Sequence, residues 1–439
     1  MDKKQALPFQ NAEFTKEMKS TYTILAPDIF PMHMGLLQGI FRMYGYNLEV
    51  LRSRGKNIID TGLKYIHNDM CYPAICMSGQ QLDALTSGEY DPHKVALIQF
   101  QTGGGCRASN YIWMLRKALH NMGMDYVPVI SLSFNRMERA SGFKVTPAMI
   151  AKGIMSLVYG DLLMLLRNQV RPYEKNPGDT QRVVDKWNDE LLRQFSHNRG
   201  LFGRRLRRNL ADIVRDFAAI PTEKRQKTKV GIVGEIYVKY SAFGNNGLED
   251  FLDSQDCEFM VPGVLGFFQC MFDNRVSDYQ LYGGRFSQKA ASVLGGKAAD
   301  RMEKALLDAL KPYPQFHAPA PFAHIRALGD EIIGRGVKMG EGWLLPAEMA
   351  ELIEGGYPNI VCAQPFGCLP NHIVGKGVIR TVREMYPDAN ICPIDYDAGA
   401  SRVNQENRIK LMLAVAKEKA TEETEIKEET EKTYEACRT

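Results

Sequence analysis

Three of the nine cysteines occupy positions where a thiolate could do chemistry. Cys106 and Cys368 each follow a predicted β-strand and precede a predicted helix, and Cys71 precedes a third predicted helix. The start of a helix offers free N–H groups and a partial positive charge, which stabilise a thiolate or an anionic cluster. We therefore take these three cysteines as candidate ligands of one site.

The residues around these cysteines indicate an asymmetric site. Gly103, Gly104 and Gly105 precede Cys106, and glycines let the backbone come close to whatever that cysteine binds. The segment 340–347 is the counterpart of the Cys71 segment in the second half of the chain, and it has no cysteine. The sequence thus predicts three thiolates around one cleft.

Residue types and spacing leave several kinds of site open. A structural zinc site usually has four protein ligands in short paired spacings, which are absent. A catalytic zinc usually recruits histidine, and only His67 and His372 lie close in sequence. A [4Fe–4S] cluster fits three cysteines best, with the fourth iron open to substrate or water. The alternative is that the cysteines are small buried hydrophobic residues. We accept that alternative for Cys76, Cys257, Cys270, Cys392 and Cys437, and keep Cys362, inside a predicted strand, as a reserve ligand.

The elements that would position these residues alternate between strands and helices. Apolar runs predict a β-loop-α-β unit in each half of the chain, and a second unit ends each half. The predicted strands are 22–27, 47–51, 95–101, 126–130, 230–234, 258–262, 359–364 and 389–394. The helix after Cys106 carries Tyr111, Leu115, Ala118, Leu119 and Met122 on one face, and the helix after Cys368 carries Ile373, Gly377, Val378, Val382 and Met385.

We therefore predict an α/β protein with two duplicated, Rossmann-like parallel-sheet domains joined by a helical connector. In such sheets, ligands bind outside the C-terminal ends of the strands, where Cys106 and Cys368 lie. The predicted parts are an N-terminal extension (1–20), a first α/β domain (21–150), the connector (151–225), a second α/β domain (226–416) and a charged tail (417–439).

Composition narrows the class of protein. The chain has 439 residues, 45% of them hydrophobic and 24% charged, which suits a folded protein of two or three domains. The net charge of +4 gives no case for nucleic-acid binding. We predict no membrane-spanning segment and no signal peptide, and therefore expect a cytoplasmic protein with reduced cysteines.

Three motifs carry a resemblance to a known family. The segments 67–74 (HNDMCYPA), 101–111 (QTGGGCRASNY) and 364–372 (QPFGCLPNH) resemble the 2-hydroxyacyl-CoA dehydratase family. They are most similar to the C-terminal portion of CoA-substrate-specific enzyme activases, as are 234–240 (GEIYVKY) and 395–401 (DYDAGAS). The resemblance runs over about 21–415, nearly the whole chain.

The resemblance implies a fold, a cofactor and partners. Members of the family bind a [4Fe–4S] cluster through three cysteines between flavodoxin-like domains, which here implies Cys71, Cys106 and Cys368 as metal ligands. They take one electron at low potential from an ATP-hydrolysing activator protein that carries its own iron–sulfur cluster. The electron passes to the thioester of an acyl-CoA and forms a ketyl radical anion, from which a leaving group departs. The active assembly includes a second dehydratase-type subunit or, in other cases, a second copy of the chain. Some relatives hold a double-cubane cluster and reduce small molecules instead.

The chain differs from the large activases because it lacks their ATPase portion, and no GxxxxGK[ST] loop is present. Electron injection driven by ATP would therefore require a partner, and three ligands favour a single cubane. Three alternatives to this function remain: a non-catalytic scaffold or regulatory subunit, a double-cubane reductase, and a thiol or zinc enzyme.

A few other residues are secondary candidates. His372 is a candidate proton donor, although a solvated histidine is the simpler interpretation, and Arg107 is a candidate partner for a cluster, thioester or phosphate. Glu235 and Lys239 are predicted to face the same cleft. The arginines of 204–208 are predicted to form a solvated helix face, with docking of an acidic partner or of CoA phosphates as the alternative.

Overall fold

The computed structural model describes residues 12–101, 105–132 and 141–436, with side chains to residue 421. Its first sheet has four parallel strands in the order β2-β1-β3-β4. They are β1 (Thr23–Pro27), β2 (Asn47–Leu51), β3 (Val95–Phe100) and β4 (Val129–Leu132). The helices of this part are α1 (Met18–Thr21), α2 (Pro31–Met43), α3 (Lys56–Tyr65), α4 (Tyr72–Thr86) and α5 (Tyr111–Asn121).

Three helices follow where the helical connector is predicted: α6 (Pro147–Val170), α7 (Asp179–Ser196) and α8 (Gly203–Ala218). Although no membrane-spanning segment is predicted, the stretch Pro147–Tyr173 is long and apolar enough to cross a membrane by length and composition. In this structure 78% of that apolar window is buried inside the protein, as expected of a core helix. The arginines of 204–208, at the start of α8, are exposed, as predicted for a solvated face.

The second sheet repeats the design of the first, with four parallel strands in the order β6-β5-β7-β8. These strands are β5 (Thr228–Gly234), β6 (Cys257–Met260), β7 (Asn359–Pro365) and β8 (Asn390–Tyr396). The helices are α9 (Ile236–Tyr240), α10 (Leu248–Ser254), α11 (Val264–Tyr282), α12 (Phe286–Leu310), α13 (Phe322–Ile332), α14 (Leu344–Glu354), α15 (Ile379–Met385) and α16 (Arg402–Ala436). The predicted α/β class with two parallel sheets of one design is confirmed.

Helices α11 to α13 lie between β6 and β7 and were not predicted from the sequence. Several large apolar side chains of α11 and α12 are exposed, including Leu281, Tyr282, Phe286 and Leu294. Apolar residues therefore do not mark one face of these helices, and the periodicity that identifies an amphipathic helix is lost.

The helix after Cys368 also differs from its prediction. Val378 and Val382 are buried, but Ile373 and Met385, expected on the same face, are 58% and 38% exposed. The segment Asn371–Lys376 is a π-helix, whose wider turn changes which residues share a face. A spacing rule based on 3.6 residues per turn therefore fails at this point.

A buried carboxylate joins the connector to both α/β parts. Asp161 Oδ1 on α6 lies 2.9 Å from His33 Nε2 on α2 and accepts the N–H of Val264 at 2.8 Å. Its second oxygen accepts the N–H of Leu265 at 2.8 Å. A Cβ on Gly263 would lie 2.8 Å from Asp161 Oδ2, so the approach requires glycine. Asp161 thus caps the positive end of α11 from another helix.

Glu351 on α14 gives the stability of the fold a defined dependence on pH. Burial raises the pKa of Glu351 to about 7, while its Oε1 accepts the N–H of Ala320 at 2.8 Å. The folded state therefore binds a proton more tightly than the unfolded state does, and stability is lost as the pH rises from about 4.5 to 7. We expect this group to cost about 3 kcal/mol above pH 7.

The measurement compares urea unfolding of the wild type and Glu351→Gln at several pH values. Glutamine keeps an acceptor for the Ala320 N–H but carries no titrating proton. The variant should gain stability relative to the wild type between pH 4.5 and 8. A constant difference between the two proteins over that range would show that Glu351 does not titrate as described.

Candidate functional site

The three candidate cysteines lie at or just before the starts of helices, and Cys106 and Cys368 also follow strands, as predicted. Cys71 is the N-cap residue of α4, which has Pro73 in its first turn, and Cys106 is the N-cap of the 3₁₀-helix Arg107–Asn110 that leads into α5. Cys368 follows β7 and precedes the π-helix. Cys71 and Cys368 are buried, whereas Cys106 is partly exposed.

The thiols of Cys71, Cys106 and Cys368 all feel the charge of one carboxyl group, that of Glu235. Burial is the main cause that raises the pKa of all three thiols, to about 12 for Cys71. The charge of Glu235 raises the pKa of each thiol further, and Glu341 acts in the same way on Cys106 and Cys368. The same charge also raises the pKa of the thiol of Cys76, so all four cysteines lie within electrostatic range of Glu235.

A contact between the two α/β parts holds Cys71 beside the loop that carries Cys368. The N–H of Tyr72 donates to the carbonyl oxygen of Phe366 at 3.0 Å. Gly367 follows with φ +75°, and a Cβ at this position would lie 3.1 Å from the Cα of Cys71. Both its left-handed backbone and its close approach therefore require glycine at position 367.

We expect Gly367→Ala to destabilise the protein by at least about 2 kcal/mol, from backbone strain and from the contact with Cys71. Gly356 is the matched control, because its φ is +83° but nothing lies within 4 Å of a Cβ built there. Gly356→Ala should cost only the backbone term of about 1 kcal/mol. Unfolding of the two variants in urea makes the comparison, and equal losses would contradict the close packing at Gly367.

Two of the three sulfur atoms have hydrogen-bond partners from the helices after Cys106 and Cys368. The hydroxyl of Tyr111 lies 2.8 Å from Cys71 Sγ. Asn371 Nδ2 donates to Cys368 Sγ at 3.2 Å and to Glu341 Oε2 at 3.3 Å. These contacts fix the positions of both sulfur atoms.

The carboxyl groups are themselves anchored on the backbone after β5. Glu235 Oε2 accepts the N–H groups of Tyr237 and Val238, each at 3.0 Å, and Glu341 Oε1 accepts the N–H of Ile236 at 2.9 Å. Burial, followed by the charge of Glu341, raises the pKa of Glu235 to about 8, and burial also raises the pKa of Glu341. Both shifts favour the uncharged forms of these carboxyl groups, which limits the negative charge beside the thiols.

The secondary candidates lie around this centre. Lys239, predicted to face the cleft with Glu235, instead forms a buried ion pair with Glu348 at 3.0 Å. The guanidinium of Arg107 donates to the backbone oxygen of Asp69, so it holds the loop before Cys71. His372 is partly exposed and packs edge-on against Phe366, at 6.2 Å between ring centres.

The remaining cysteines mostly agree with their predicted packing role. Cys76, Cys257, Cys270 and the reserve ligand Cys362 are buried, and Cys362 Sγ accepts a hydrogen bond from Gln364 Nε2 at 3.2 Å. Cys392 is only partly buried, because it lies on the edge strand β8, so the buried role predicted for it is wrong in degree. Cys437 and the predicted loop residues 102–104 lie outside the described residues.

Sequence reasoning missed Tyr111, Asn371 and Glu341 as site residues. For Glu341 the sequence offered only an indirect signal, because this residue lies in the segment 340–347, which has no cysteine. This segment is the counterpart of the Cys71 segment, so a carboxyl group occupies the region where the first α/β part supplies a thiol. Tyr111 and Asn371 had no comparable signal, because their partners are distant in sequence or depend on the π-helix.

The chemistry of the donor set fits an iron–sulfur cluster. Thiolates are the usual ligands of such clusters, and hydrogen bonds to their sulfur atoms stabilise them. Within 12–101, 105–132 and 141–436, no three His, Cys, Asp or Glu side chains are already arranged to hold a metal ion. The argument for an iron–sulfur cluster therefore rests on the contacts between the three cysteine segments and on the hydrogen-bond donors to their sulfur atoms.

Comparison with known proteins does not assign this chain to a family. No protein-family model matches the chain, and no curated protein matches it. The resemblance to the 2-hydroxyacyl-CoA dehydratase family therefore rests on the motifs around the three cysteines, and the function that it implies is a proposal.

Proposed function

We propose that this chain is an iron–sulfur protein of the 2-hydroxyacyl-CoA dehydratase type, with two flavodoxin-like domains. In this proposal Cys71, Cys106 and Cys368 hold one [4Fe–4S] cluster. The observation that carries it is that the three cysteine segments, far apart in sequence, contact one another: the Tyr111 hydroxyl lies 2.8 Å from Cys71 Sγ, and the N–H of Tyr72 donates to the carbonyl oxygen of Phe366, two residues before Cys368. Chance packing of buried cysteines gives no reason for such convergence.

When bound, the cluster supplies one-electron chemistry at low potential. The chain's own residues prepare the cleft for this cofactor. Tyr111 and Asn371 hold the sulfur atoms of Cys71 and Cys368, and both are buried. Burial and the charge of Glu341 raise the pKa of Glu235, which favours the uncharged form of this carboxyl group beside the three thiols.

The electron donor in this proposal is an ATP-hydrolysing activator protein with its own iron–sulfur cluster. The surface near Cys368 is of the kind that a protein partner covers. Phe366, Leu369, Ile373 and Met339 are each more than half exposed, although they are large and apolar. Exposed apolar side chains grouped around a site are typical of interaction surfaces. An acyl-CoA is the proposed electron acceptor.

The deciding experiment is anaerobic purification, followed by iron and sulfide analysis and EPR of the oxidised and reduced protein. We expect about four iron and four sulfide per chain and the spectrum of a single cubane. A protein that stays free of iron after anaerobic reconstitution would end the proposal. Stoichiometric zinc without iron would favour a zinc enzyme, and about eight iron per chain would favour a double cubane.

A second measurement separates an electron-accepting protein from a non-catalytic subunit. The iron-loaded chain is mixed with an ATP-hydrolysing activator of this family and ATP, and reduction of the cluster is followed by EPR. Reduction should require hydrolysable ATP, so a non-hydrolysable analogue is the control. A loaded cluster that is never reduced under these conditions would favour a scaffold or regulatory role.

A further inference from the structure

The side-chain amide of Asn371 is placed to act on a sulfur atom of the site. Asn371 has 0% exposure and begins the π-helix Asn371–Lys376. Its Nδ2 lies 3.2 Å from Cys368 Sγ and 3.3 Å from Glu341 Oε2. The amide nitrogen is thus within hydrogen-bond distance of two acceptors, one of them the sulfur atom of a proposed ligand.

Glu341 fixes which edge of this amide faces the sulfur. The carboxyl group of Glu341 is held through its other oxygen by the N–H of Ile236 at 2.9 Å. An amide rotated by half a turn would place its oxygen against Glu341 Oε2 and against Cys368 Sγ. The observed orientation satisfies both acceptors, so Glu341 keeps the donor edge of Asn371 on Cys368.

The other end of the amide is left without a partner. Asn371 Oδ1 is buried and accepts no hydrogen bond from the described residues. An unsatisfied buried carbonyl is destabilising, and a side chain retained only for packing would not need to bear that cost. Asn371 therefore keeps its contacts with Cys368 and Glu341, although its own carbonyl oxygen has no hydrogen-bond partner among the described residues.

We propose that Asn371 sets the reduction potential of the cluster by donating an N–H to Cys368 Sγ, an inference that rests on the proposed function. Reduction places more negative charge on the sulfur ligands, and an N–H donor stabilises that charge. The contact therefore raises the reduction potential. Asn371 is a positioning residue that acts through Cys368.

The test is an EPR-monitored redox titration of the iron-loaded protein with Asn371→Leu, which removes both N–H donors at similar volume. One lost hydrogen bond to a charged group should lower the ratio of reduced to oxidised cluster about ten-fold at a given potential, or 59 mV for a one-electron couple. Gln364→Leu is the matched control, because Gln364 Nε2 donates to Cys362 Sγ at the same 3.2 Å. Cys362 is not a proposed ligand, so this control should titrate like the wild type.

The outcomes separate this inference from the function on which it rests. A wild type without iron overturns both. A wild type with four iron, and an Asn371→Leu variant that titrates like it, overturns the role of Asn371 alone. If the reduction potential shifts in Gln364→Leu but not in Asn371→Leu, the result would indicate that Cys362 is a ligand. It would also overturn the role of Asn371. If Asn371→Leu packs badly, Asn371→Ala removes the same donor without added bulk, and loss of the cluster from both variants would mean that Asn371 supports assembly instead of potential.

Discussion

Replacing Cys106 or Cys368 by serine is expected to remove most of the iron and sulfide from the anaerobically purified protein while the fold persists. Both cysteines lie on loops beyond the strand ends, outside the sheets. A serine hydroxyl is a much harder and less acidic ligand than a thiol, so it replaces thiolate poorly at iron. Iron and sulfide per chain, with circular dichroism as the measure of fold, check the prediction.

Two other cysteines make the comparison specific. Cys392→Ser changes a partly buried cysteine on β8 and should leave the iron content at the wild-type value. Cys71→Ser should lose the cluster as the first two variants do, although its burial makes some loss of stability expected. Unfolding of both Cys106→Ser and Cys368→Ser would favour a packing role for these thiols. Full iron content in all the variants would contradict the three-cysteine site.

Asp161→Ala is expected to cost about 3–5 kcal/mol of stability, the largest loss for any substitution considered away from the cysteines. The carboxylate accepts the N–H groups of Val264 and Leu265 and pairs with His33, and both it and His33 are buried. Alanine would leave two backbone N–H groups and a ring nitrogen without their partner, away from water. It would also remove the negative charge at the start of α11.

Urea unfolding measures this loss, and Asp250→Ala supplies the control. Asp250 accepts a hydrogen bond from Arg171 at 3.1 Å, but its side chain is 64% exposed, so its removal should cost no more than about 1 kcal/mol. Hydrogen exchange should also show the start of α11 opening more often in Asp161→Ala. If the two variants lose similar stability, Asp161 does not join the connector to both α/β parts as described.

The sequence was sufficient to predict the two sheets and the positions of the candidate cysteines. Apolar runs of strand length followed by helical spacing repeat in both halves, and the physical reason is that parallel strands are buried on both faces. The cysteines could be placed because ligands in such folds bind beyond the C-terminal strand ends. Strand β2 has the predicted bounds, and the other strands differ from theirs by a few residues at their ends.

What surrounds the cysteines could not be predicted in the same way. The bond between Asn371 and Cys368 depends on a π-helix, whose geometry has no signature in apolar spacing. Glu341 was visible only as a position without cysteine, and its approach to Asn371 is a tertiary contact. The pKa of Glu235 is raised mainly because the side chain is buried, and the sequence alone does not reveal that burial.

The distribution of the three cysteines between the two sheets has a consequence for biosynthesis. Cys71 and Cys106 belong to the first sheet, which is complete at β4, whereas Cys368 follows β7, near the end of the second. Because N-terminal domains fold first during synthesis, the first α/β part can fold before Cys368 has been synthesised. If the three cysteines hold one cluster, as proposed, that cluster is completed only after the segment that carries Cys368 has been synthesised, and two thiols wait through translation for their third partner.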